Sequence, residues 1–335
     1  MTLLPSSARK PLARVRPHDS RRDGLWAVVL AGGEGVRLRP LTRLVHGDDR
    51  PKQYACFVDG RTLLRCTLDR TGRAIPPERT VVIAQQRHTR YLAEEFAGSR
   101  LPHVLRQPED RGTAAGILLP VHWISWRDPG AVVVVFPSDH FVIGEDAFMR
   151  HVVAAAAWAR LRRDRLVLIG ATPTAPEVQY GWIERGKSLD WIEDAPVCEV
   201  ARFWEKPGED TARTCWMGGG LWNTLVLVGT AEAFMDVGWR ALPVLSERLA
   251  RIEPFADTED EPWALTQAYL LAPDANFSRA VLEPCPPDLA VSELPADVTW
   301  SDWGTPDRVV QSLRGAGLQP AWMACLRSVA PPAAS

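Results

Sequence analysis

The sequence has no excess of charge of one sign and no long apolar run. Its 39 Lys and Arg against 41 Asp and Glu leave a net charge of −2 at pH 7. Proteins that bind the phosphate backbone of nucleic acid carry a basic surplus instead. The longest apolar runs, such as residues 131–137, are far shorter than the ~20 residues that cross a bilayer. We therefore expect no nucleic-acid partner and no membrane attachment.

Cysteine pairs and an apolar leader are also lacking. The six cysteines are scattered, without a Cys-x-x-Cys pair or a histidine at zinc-ligand spacing. Reduced thiols in a cytoplasmic protein are the expectation. Residues 1–23 are rich in arginine, proline and serine, which predicts a disordered basic leader, with an organellar transit segment as the alternative. We expect a single domain over residues 24–314 and a C-terminal tail over 315–335.

Branched apolar runs alternate with helical segments in the first half of the chain. Strands buried on both faces are predicted at 26–31, 80–84, 131–136 and 166–170. Helices are predicted at 62–71, 89–97, 113–126 and 146–161, with a kink at Pro120. This alternation predicts a three-layer, Rossmann-like α/β fold with helices on both sides of a mixed, mostly parallel sheet.

The pattern changes after about residue 180. Strands are predicted at 180–184, 199–204, 220–228 and 279–283, with long irregular connections between them. Such strands are typical of an antiparallel extension added to a parallel sheet. No internal repeat or linker separates the two parts, so we expect them to share one domain.

A glycine-rich segment follows the first predicted strand and reads Leu30-Ala31-Gly32-Gly33-Glu34-Gly35-Val36-Arg37-Leu38. Glycines let a backbone approach a phosphate, and consecutive N–H groups form a nest that binds anions. Leu38 stands where a dinucleotide fingerprint has its third glycine, and the Gly-Lys-Ser/Thr of a Walker A loop is missing. Arg37, with Lys52 and its neighbours downstream, favours a polyphosphate ligand over a plain tight turn.

A carboxylate ends the third apolar run, in Phe136-Pro137-Ser138-Asp139-His140. Ligands of open α/β sheets bind beyond the carboxyl ends of the strands. An aspartate at that position commonly holds a Mg²⁺ ion that carries substrate phosphates. The alternative for Asp139 is a turn or helix-capping role.

Seven motifs resemble those of the sugar-phosphate nucleotidyltransferases, most closely the mannose-1-phosphate guanylyltransferases. They follow one another along this chain in the same order as in that family. They cover most of the chain, from about residue 26 to residue 305. The matching segments are 32–42 (GGxGxRLxPLT), 51–53 (PKQ), 107–114 (QPENRGTA), 136–140 (PSDH), 173–184 (PTxPETGYGYIE), 203–207 (F-x-EKP) and 300–304 (WSDxG).

The resemblance implies transfer of a nucleoside monophosphate from GTP, or another nucleoside triphosphate, to mannose 1-phosphate or another sugar 1-phosphate, with release of pyrophosphate. The attacking phosphate oxygen is already ionised at neutral pH, so no general base is needed. Catalysis then consists of aligning two polyanions and stabilising charge. The implied catalytic residues are Arg37, Lys52, Asp139 and Lys206, and the implied Mg²⁺ ligands are Asp139 and Asp302.

The resemblance also implies two sets of binding residues. Those expected at the nucleotide are Leu30, Ala31, Gly32, Gly33, Gly35, Gln107, Gly112 and Thr113. Those expected at the sugar are Gly181, Glu205, Lys206 and Asn223. Thr224-Leu225 replace the small Ser-Gly pair of the guanylyltransferase pattern, which predicts a more crowded sugar pocket.

Two alternatives stay open at this point. One is the same chemistry on another hexose or heptose 1-phosphate, or with another nucleotide. The other is a regulator that binds nucleotide-sugars without turning them over. The oligomeric state is open as well, with a homodimer as one option.

Overall fold

The computed structural model describes residues 24–98, 102–284 and 287–329. The predicted leader over residues 1–23 lies outside these ranges. The strands are β1 (Leu25–Leu30), β2 (Thr80–Gln85), β3 (His103–Gln107), β4 (Val132–Pro137), β5 (Phe141–Ile143), β6 (Leu166–Ala171), β7 (Gly181–Ile192), β8 (Ala195–Glu205), β9 (Leu221–Thr230), β10 (Leu289–Glu293) and β11 (Thr299–Ser301).

The helices alternate with these strands through most of the chain. The α-helices are α1 (Arg39–His46), α2 (Leu63–Thr71), α3 (Thr89–Phe96), α4 (Gly112–Arg127), α5 (Glu145–Leu161), α6 (Glu209–Met217), α7 (Ala231–Ala241), α8 (Pro243–Ala250), α9 (Glu261–Leu270), α10 (Pro306–Gly315) and α11 (Trp322–Val329). Short 3-10 turns lie at Val36–Leu38, Lys52–Tyr54, Pro77–Arg79, Gln86–His88 and Glu253–Phe255, and a π-helical turn lies at Ser278–Leu282. Of the helices described, none combines the length and apolar character that a membrane span needs.

Nine strands form one mixed sheet in the order β3-β2-β1-β4-β9-β6-β10-β8-β7. The pairs β1–β2, β1–β4, β2–β3 and β6–β10 are parallel. Strand β9 lies antiparallel between β4 and β6, and β7 and β8 form an antiparallel hairpin at the far edge. Strands β5 and β11 pair separately. The mostly parallel sheet with an antiparallel extension is confirmed.

Helices cover both faces of the sheet because its central strands are apolar on both sides. In β4, Val133 and Val135 belong to the core cluster formed with α4, α7 and α8, while Val132 and Val134 belong to the cluster formed with α5. All four valines are fully buried. Branched side chains on both faces of a strand therefore produce the three layers predicted from the sequence.

The strand predicted at 279–283 is wrong, because these residues form the π-helical turn Ser278–Leu282. Val281 and Leu282 are buried in the same cluster as α7 and α8. Periodicity alone does not separate a short apolar run in a strand from one in a buried helical turn. The sheet position is instead taken by β10, a few residues later.

Part of the segment predicted as a C-terminal tail is ordered as helix α11. The Trp322 indole Nε1 donates a hydrogen bond of 2.9 Å to the Phe57 carbonyl oxygen, and the two rings pack edge to face. An aromatic anchor thus ties this helix to the segment that carries Phe57.

Candidate active site

The glycine-rich segment leaves β1 at the carboxyl ends of the parallel strands, and the side chains of two other motifs hold its backbone. The Gln53 amide Nε2 donates to the carbonyl oxygens of Ala31 and Gly33, both at 2.8 Å. The Ser138 hydroxyl donates to the Leu30 carbonyl oxygen at 2.6 Å. Gln53 is a residue that the sequence interpretation left without a role, although its place in the PKQ motif marked it.

Gly35 lies against the backbone of Lys52, in the PKQ motif. Its φ is +59°, and a Cβ atom there would lie 2.7 Å from the Lys52 backbone nitrogen. Only glycine accepts both the left-handed conformation and this approach. The loop is therefore pressed against the segment that carries Lys52.

Lys52 joins both predicted metal ligands. Its side chain is buried, and its ammonium Nζ lies 3.0 Å from the Asp139 carboxylate Oδ2. Nζ also donates to the backbone carbonyl oxygen of Asp302 at 2.5 Å and approaches that of Trp303 at 3.3 Å. The structure thus brings together Lys52, Asp139 and Asp302, which are far apart in sequence.

Both aspartates are held as carboxylates. Burial opposes ionisation of Asp139, yet the neighbouring Lys52 ammonium helps to keep its pKa below the ordinary value. For Asp302, burial is likewise outweighed by nearby positive charge, including Arg308 and Lys52, and its pKa is lowered. Burial lowers the pKa of His140 to about 4, so this imidazole is neutral at pH 7.

Donors around one oxygen fix the orientation of the Asp302 side chain. Its Oδ1 accepts hydrogen bonds from the Tyr180 hydroxyl at 2.9 Å, the Gly304 N–H at 2.9 Å and Arg308 Nη1 at 3.0 Å. No described residue donates a hydrogen bond to Oδ2. One oxygen of Asp302 therefore positions the side chain, and the other is available to a ligand.

The two carboxylates suit a hard cation completed by substrate oxygens. Mg²⁺ is usually held by one or two carboxylates together with phosphates, not by a full protein cage. Within the described residues, no group of three or more His, Cys, Asp or Glu side chains is arranged to hold a metal. Asp139 and Asp302 thus fit a metal that arrives with a phosphate substrate.

Arg37 lies apart from this buried cluster. Its side chain is exposed, and its Nη1 donates a hydrogen bond of 2.7 Å to the Gln179 Oε1. Among the described residues, no carboxylate forms an ion pair with Arg37. The structure therefore places Arg37 at the surface of the glycine-rich segment, facing the chain that precedes β7.

Gln107 ends β3 beside Gln85, its register partner at the end of β2. A Cβ atom on Gly32 would lie 3.2 Å from the Gln107 Oε1, so the glycine makes room for this side chain. The buried Gln107 Nε2 has no hydrogen-bond partner among the described residues. The same side chain lies beside the buried Tyr269 hydroxyl, and the expected role of Gln107 at the nucleotide stays a prediction.

Gly112 and Thr113 contact the protein itself. Gly112 has a φ of +74°, and a Cβ atom there would clash with the Ala275 carbonyl. The Thr113 hydroxyl accepts a hydrogen bond of 2.9 Å from the Phe277 N–H. These contacts dock the start of α4 on residues 274–277, while the expected role of both residues at the nucleotide stays a prediction.

Gly112→Ala should lower stability strongly. The left-handed backbone costs an L residue roughly 1–2 kcal/mol, and the clash with the Ala275 carbonyl adds to it. We expect a loss of more than about 2 kcal/mol in the free energy of unfolding, measured by denaturant titration. Gly33→Ala is the control, because an added Cβ there meets no atom within 4 Å. Equal stability of the two variants would contradict the prediction.

The residues predicted for the sugar cluster where β7, β8 and β9 meet. A Cβ atom on Gly181 would lie 3.2 Å from both the Glu205 Oε2 and the Asn223 Cβ. Lys206 follows Glu205 with a φ of +52°, and its half-exposed Nζ lies 3.6 Å from the Glu205 Oε1. The structure thus brings Gly181, Glu205, Lys206 and Asn223 together.

Thr224 does not crowd this cluster. It is fully buried, and its hydroxyl donates to the Ile169 carbonyl oxygen at 2.6 Å. Leu225 adopts a φ of +55°, a left-handed conformation that favours the glycine of the guanylyltransferase pattern. The expected crowding is therefore wrong for Thr224, whose added bulk points into the protein interior.

Residues 26–314 match the sequence profile of the nucleotidyl transferase family. The chain belongs to this family. It is 30% identical over 296 residues to the mannose-1-phosphate guanylyltransferase ManC of Salmonella typhimurium, covering 85% of this chain and 58% of that protein. It is 29% identical over 293 residues to the mannose-1-phosphate guanylyltransferase of Escherichia coli, covering 84% and 58%. The chain thus spans less than two thirds of these curated relatives.

Solved structures of similar shape agree with this nucleotidyl transferase fold. A crystal structure described as mannose-1-phosphate geranyltransferase from Thermus thermophilus has a TM-score of 0.71 at 29% identity, over 84% of this chain and 76% of that chain. One described as mannose-6-phosphate isomerase from Helicobacter pylori has a TM-score of 0.63 at 20% identity, over 82% and 99%. The second likeness concerns the fold alone.

Proposed function

We propose that this nucleotidyl transferase family member moves a nucleoside monophosphate from GTP to mannose 1-phosphate, giving GDP-mannose and pyrophosphate. The observation that carries the proposal is the buried Lys52 ammonium, which lies between the ionised Asp139 carboxylate and the Asp302 backbone at the carboxyl end of the sheet. Such a charge arrangement suits phosphates and their metal. The guanylyltransferase relatives support the choice of substrates.

The proposed step forms one bond and breaks another at the α-phosphorus. An ionised oxygen of the sugar phosphate forms the new bond, and the electron pair of the broken bond leaves with pyrophosphate. No proton has to be removed, so the protein's task is alignment and charge stabilisation. N–H groups of the glycine-rich segment and Arg37 would donate to the triphosphate, and Lys206 would hold the sugar phosphate.

Asp139 and Asp302 would hold Mg²⁺, since carboxylate oxygens suit a hard cation. When bound, the ion offsets the negative charge of the two phosphates. Lys52 would keep the two aspartate segments at a fixed spacing through its contacts to the Asp139 carboxylate and the Asp302 carbonyl oxygen. A contact between this ammonium and a substrate phosphate would replace one of its three present partners.

The base and the sugar would be recognised by residues from the two halves of the sheet. Gln107, at the end of β3, would meet the base through its side-chain amide. Glu205 and Asn223 offer acceptors and a donor for sugar hydroxyls, and Gly181 lets the sugar approach the backbone.

A substrate panel tests the proposal. The full chain would be supplied with Mg²⁺, each of the four common nucleoside triphosphates and several sugar 1-phosphates, and pyrophosphate release would be followed. We expect GTP with mannose 1-phosphate to exceed every other pair in kcat/KM. A different best pair would favour the same chemistry on other substrates. Absence of release from every pair, with binding of nucleotide-sugars retained, would favour a regulator.

A further inference from the structure

Gln179 bridges two segments that are far apart in sequence. Its Oε1 accepts the hydrogen bond of 2.7 Å from Arg37 Nη1, across 142 positions. Arg37 belongs to the short turn Val36–Leu38 at the end of the glycine-rich segment, and Gln179 belongs to residues 172–180, which connect β6 to β7. The contact therefore spans from the proposed nucleotide side to the proposed sugar side.

The residues around Gln179 are firmly anchored. The Glu177 carboxylate Oε2 accepts from Arg308 Nη2 at 2.7 Å, and the Glu177 carbonyl oxygen accepts from the Trp182 indole at 2.8 Å. On the other side, the Tyr180 hydroxyl donates to Asp302 at 2.9 Å. Gln179 thus stands on a stretch that is tied to the segment carrying Asp302.

An anchored hydrogen-bond acceptor restricts the Arg37 side chain before it binds a phosphate. This side chain is exposed, and an unrestrained arginine loses rotamer entropy when it binds a ligand. A neutral amide oxygen occupies one of the five guanidinium N–H donors and leaves the charge and four donors for phosphate oxygens. A carboxylate in the same place would offset that charge.

Gln179 is also a departure from the family motif. The PTxPETGYGYIE pattern has glycine where this chain has Gln179. A glycine has no side chain to reach Arg37, so the contact belongs to this chain's own sequence.

We propose that Gln179 is a positioning residue that holds the Arg37 guanidinium ready for the triphosphate. The inference rests on the proposed function, in which Arg37 contacts the triphosphate. Its direct consequence is a coupling between residues 37 and 179 that affects turnover and leaves stability unchanged.

The test combines Gln179→Gly, Gln179→Glu, Arg37→Ala and the double variant Arg37→Ala/Gln179→Gly. Misplacement of a catalytic group costs up to about 10²-fold, so we expect about tenfold lower kcat for Gln179→Gly, with unchanged KM for the sugar 1-phosphate. Gln179→Glu keeps an acceptor but offsets the charge, so its KM for the triphosphate should rise. In the Arg37→Ala background, Gln179→Gly should have no further effect. Val178→Ala, on the neighbouring exposed side chain, is the matched control.

The outcomes distinguish failure of the inference from failure of the proposed function. A merely structural role for Gln179 would lower the melting temperature of Gln179→Gly but leave its kcat unchanged, and that result would overturn the inference. Low turnover by Arg37→Ala together with wild-type turnover by Gln179→Gly would also overturn the inference. The proposed function would then remain supported. Wild-type turnover by Arg37→Ala would overturn both the inference and the assigned role of Arg37. Additive effects in the double variant would show that the two residues act independently and would overturn the inference.

Discussion

Asp139→Asn should reduce pyrophosphate release by about 10³-fold at ordinary Mg²⁺ concentrations while the protein stays folded. Loss of one electrostatic contact to the reacting phosphates typically costs 10²–10³-fold in kcat, about the range expected here. Asn has the same shape as Asp but lacks the charge that attracts a metal. It still offers an oxygen to the Lys52 ammonium, which lies 3.0 Å from the carboxylate.

The measurement is kcat as a function of Mg²⁺ concentration, together with a thermal unfolding curve. Higher Mg²⁺ should restore part of the activity, because the remaining ligands bind the ion more weakly. Asp236→Asn, on the exposed side of α7, is the matched control and should behave as the wild type. Near wild-type turnover by Asp139→Asn at low Mg²⁺ would refute its assignment as a metal ligand.

Lys52→Met should impair both catalysis and stability. Met has nearly the same length and fills the same buried space, but it leaves the Asp139 carboxylate and the Asp302 and Trp303 carbonyl oxygens without their donor. Breaking a buried ion pair costs about 3–5 kcal/mol. Since a third of the Asp139 side chain is exposed, solvent screening lowers this cost, and we expect about 2–3 kcal/mol.

The pH dependence of this variant gives an independent check. In the wild type, the pKa of Asp139 lies below its ordinary value of 3.8, so the carboxylate stabilises the fold above that pH and ceases to do so as acid protonates it. In Lys52→Met, the strongest interaction that lowers this pKa is gone while burial still raises it, so the pKa of Asp139 moves upward from its wild-type value. Relative to the wild type, the variant should therefore lose most stability at neutral pH and recover part of it as the pH falls toward the pKa of Asp139.

Two further variants make the Lys52 prediction specific. Lys52→Met/Asp139→Asn should be more stable at neutral pH than Lys52→Met, because the uncompensated charge is gone. Lys187→Met replaces an exposed lysine on β7 and should leave stability and turnover unchanged. A melting temperature of Lys52→Met equal to that of the wild type at every pH would contradict the structural role of the ammonium.

The central sheet could be predicted because its strands are continuous apolar runs. Strand β4 is buried along its whole length, as the run of valines indicates. Strand β3 was missed because it alternates exposed and buried residues at the sheet edge. The turn at Ser278–Leu282 was misassigned because its short apolar run has the composition of a buried strand.

The site was partly accessible from sequence. The motif resemblance named Lys52, Asp139 and Asp302, and the structure brings them together. The resemblance does not reveal that the Gln53 side chain binds two loop carbonyl oxygens or that Gln179 binds Arg37. Such contacts depend on the path of the backbone between distant segments, which no local pattern specifies.

The position of β10 affects how the sheet can form while the chain is still being synthesised. This strand lies between β6 and β8 in the sheet, although it is made after both. A nascent chain that has not reached residue 289 therefore has two unfilled strand edges in its interior, where exposed backbone invites wrong pairing. The segment that carries Asp302 follows only afterwards, so a ribosome-bound chain would lack one of the two proposed metal ligands until its synthesis is nearly finished.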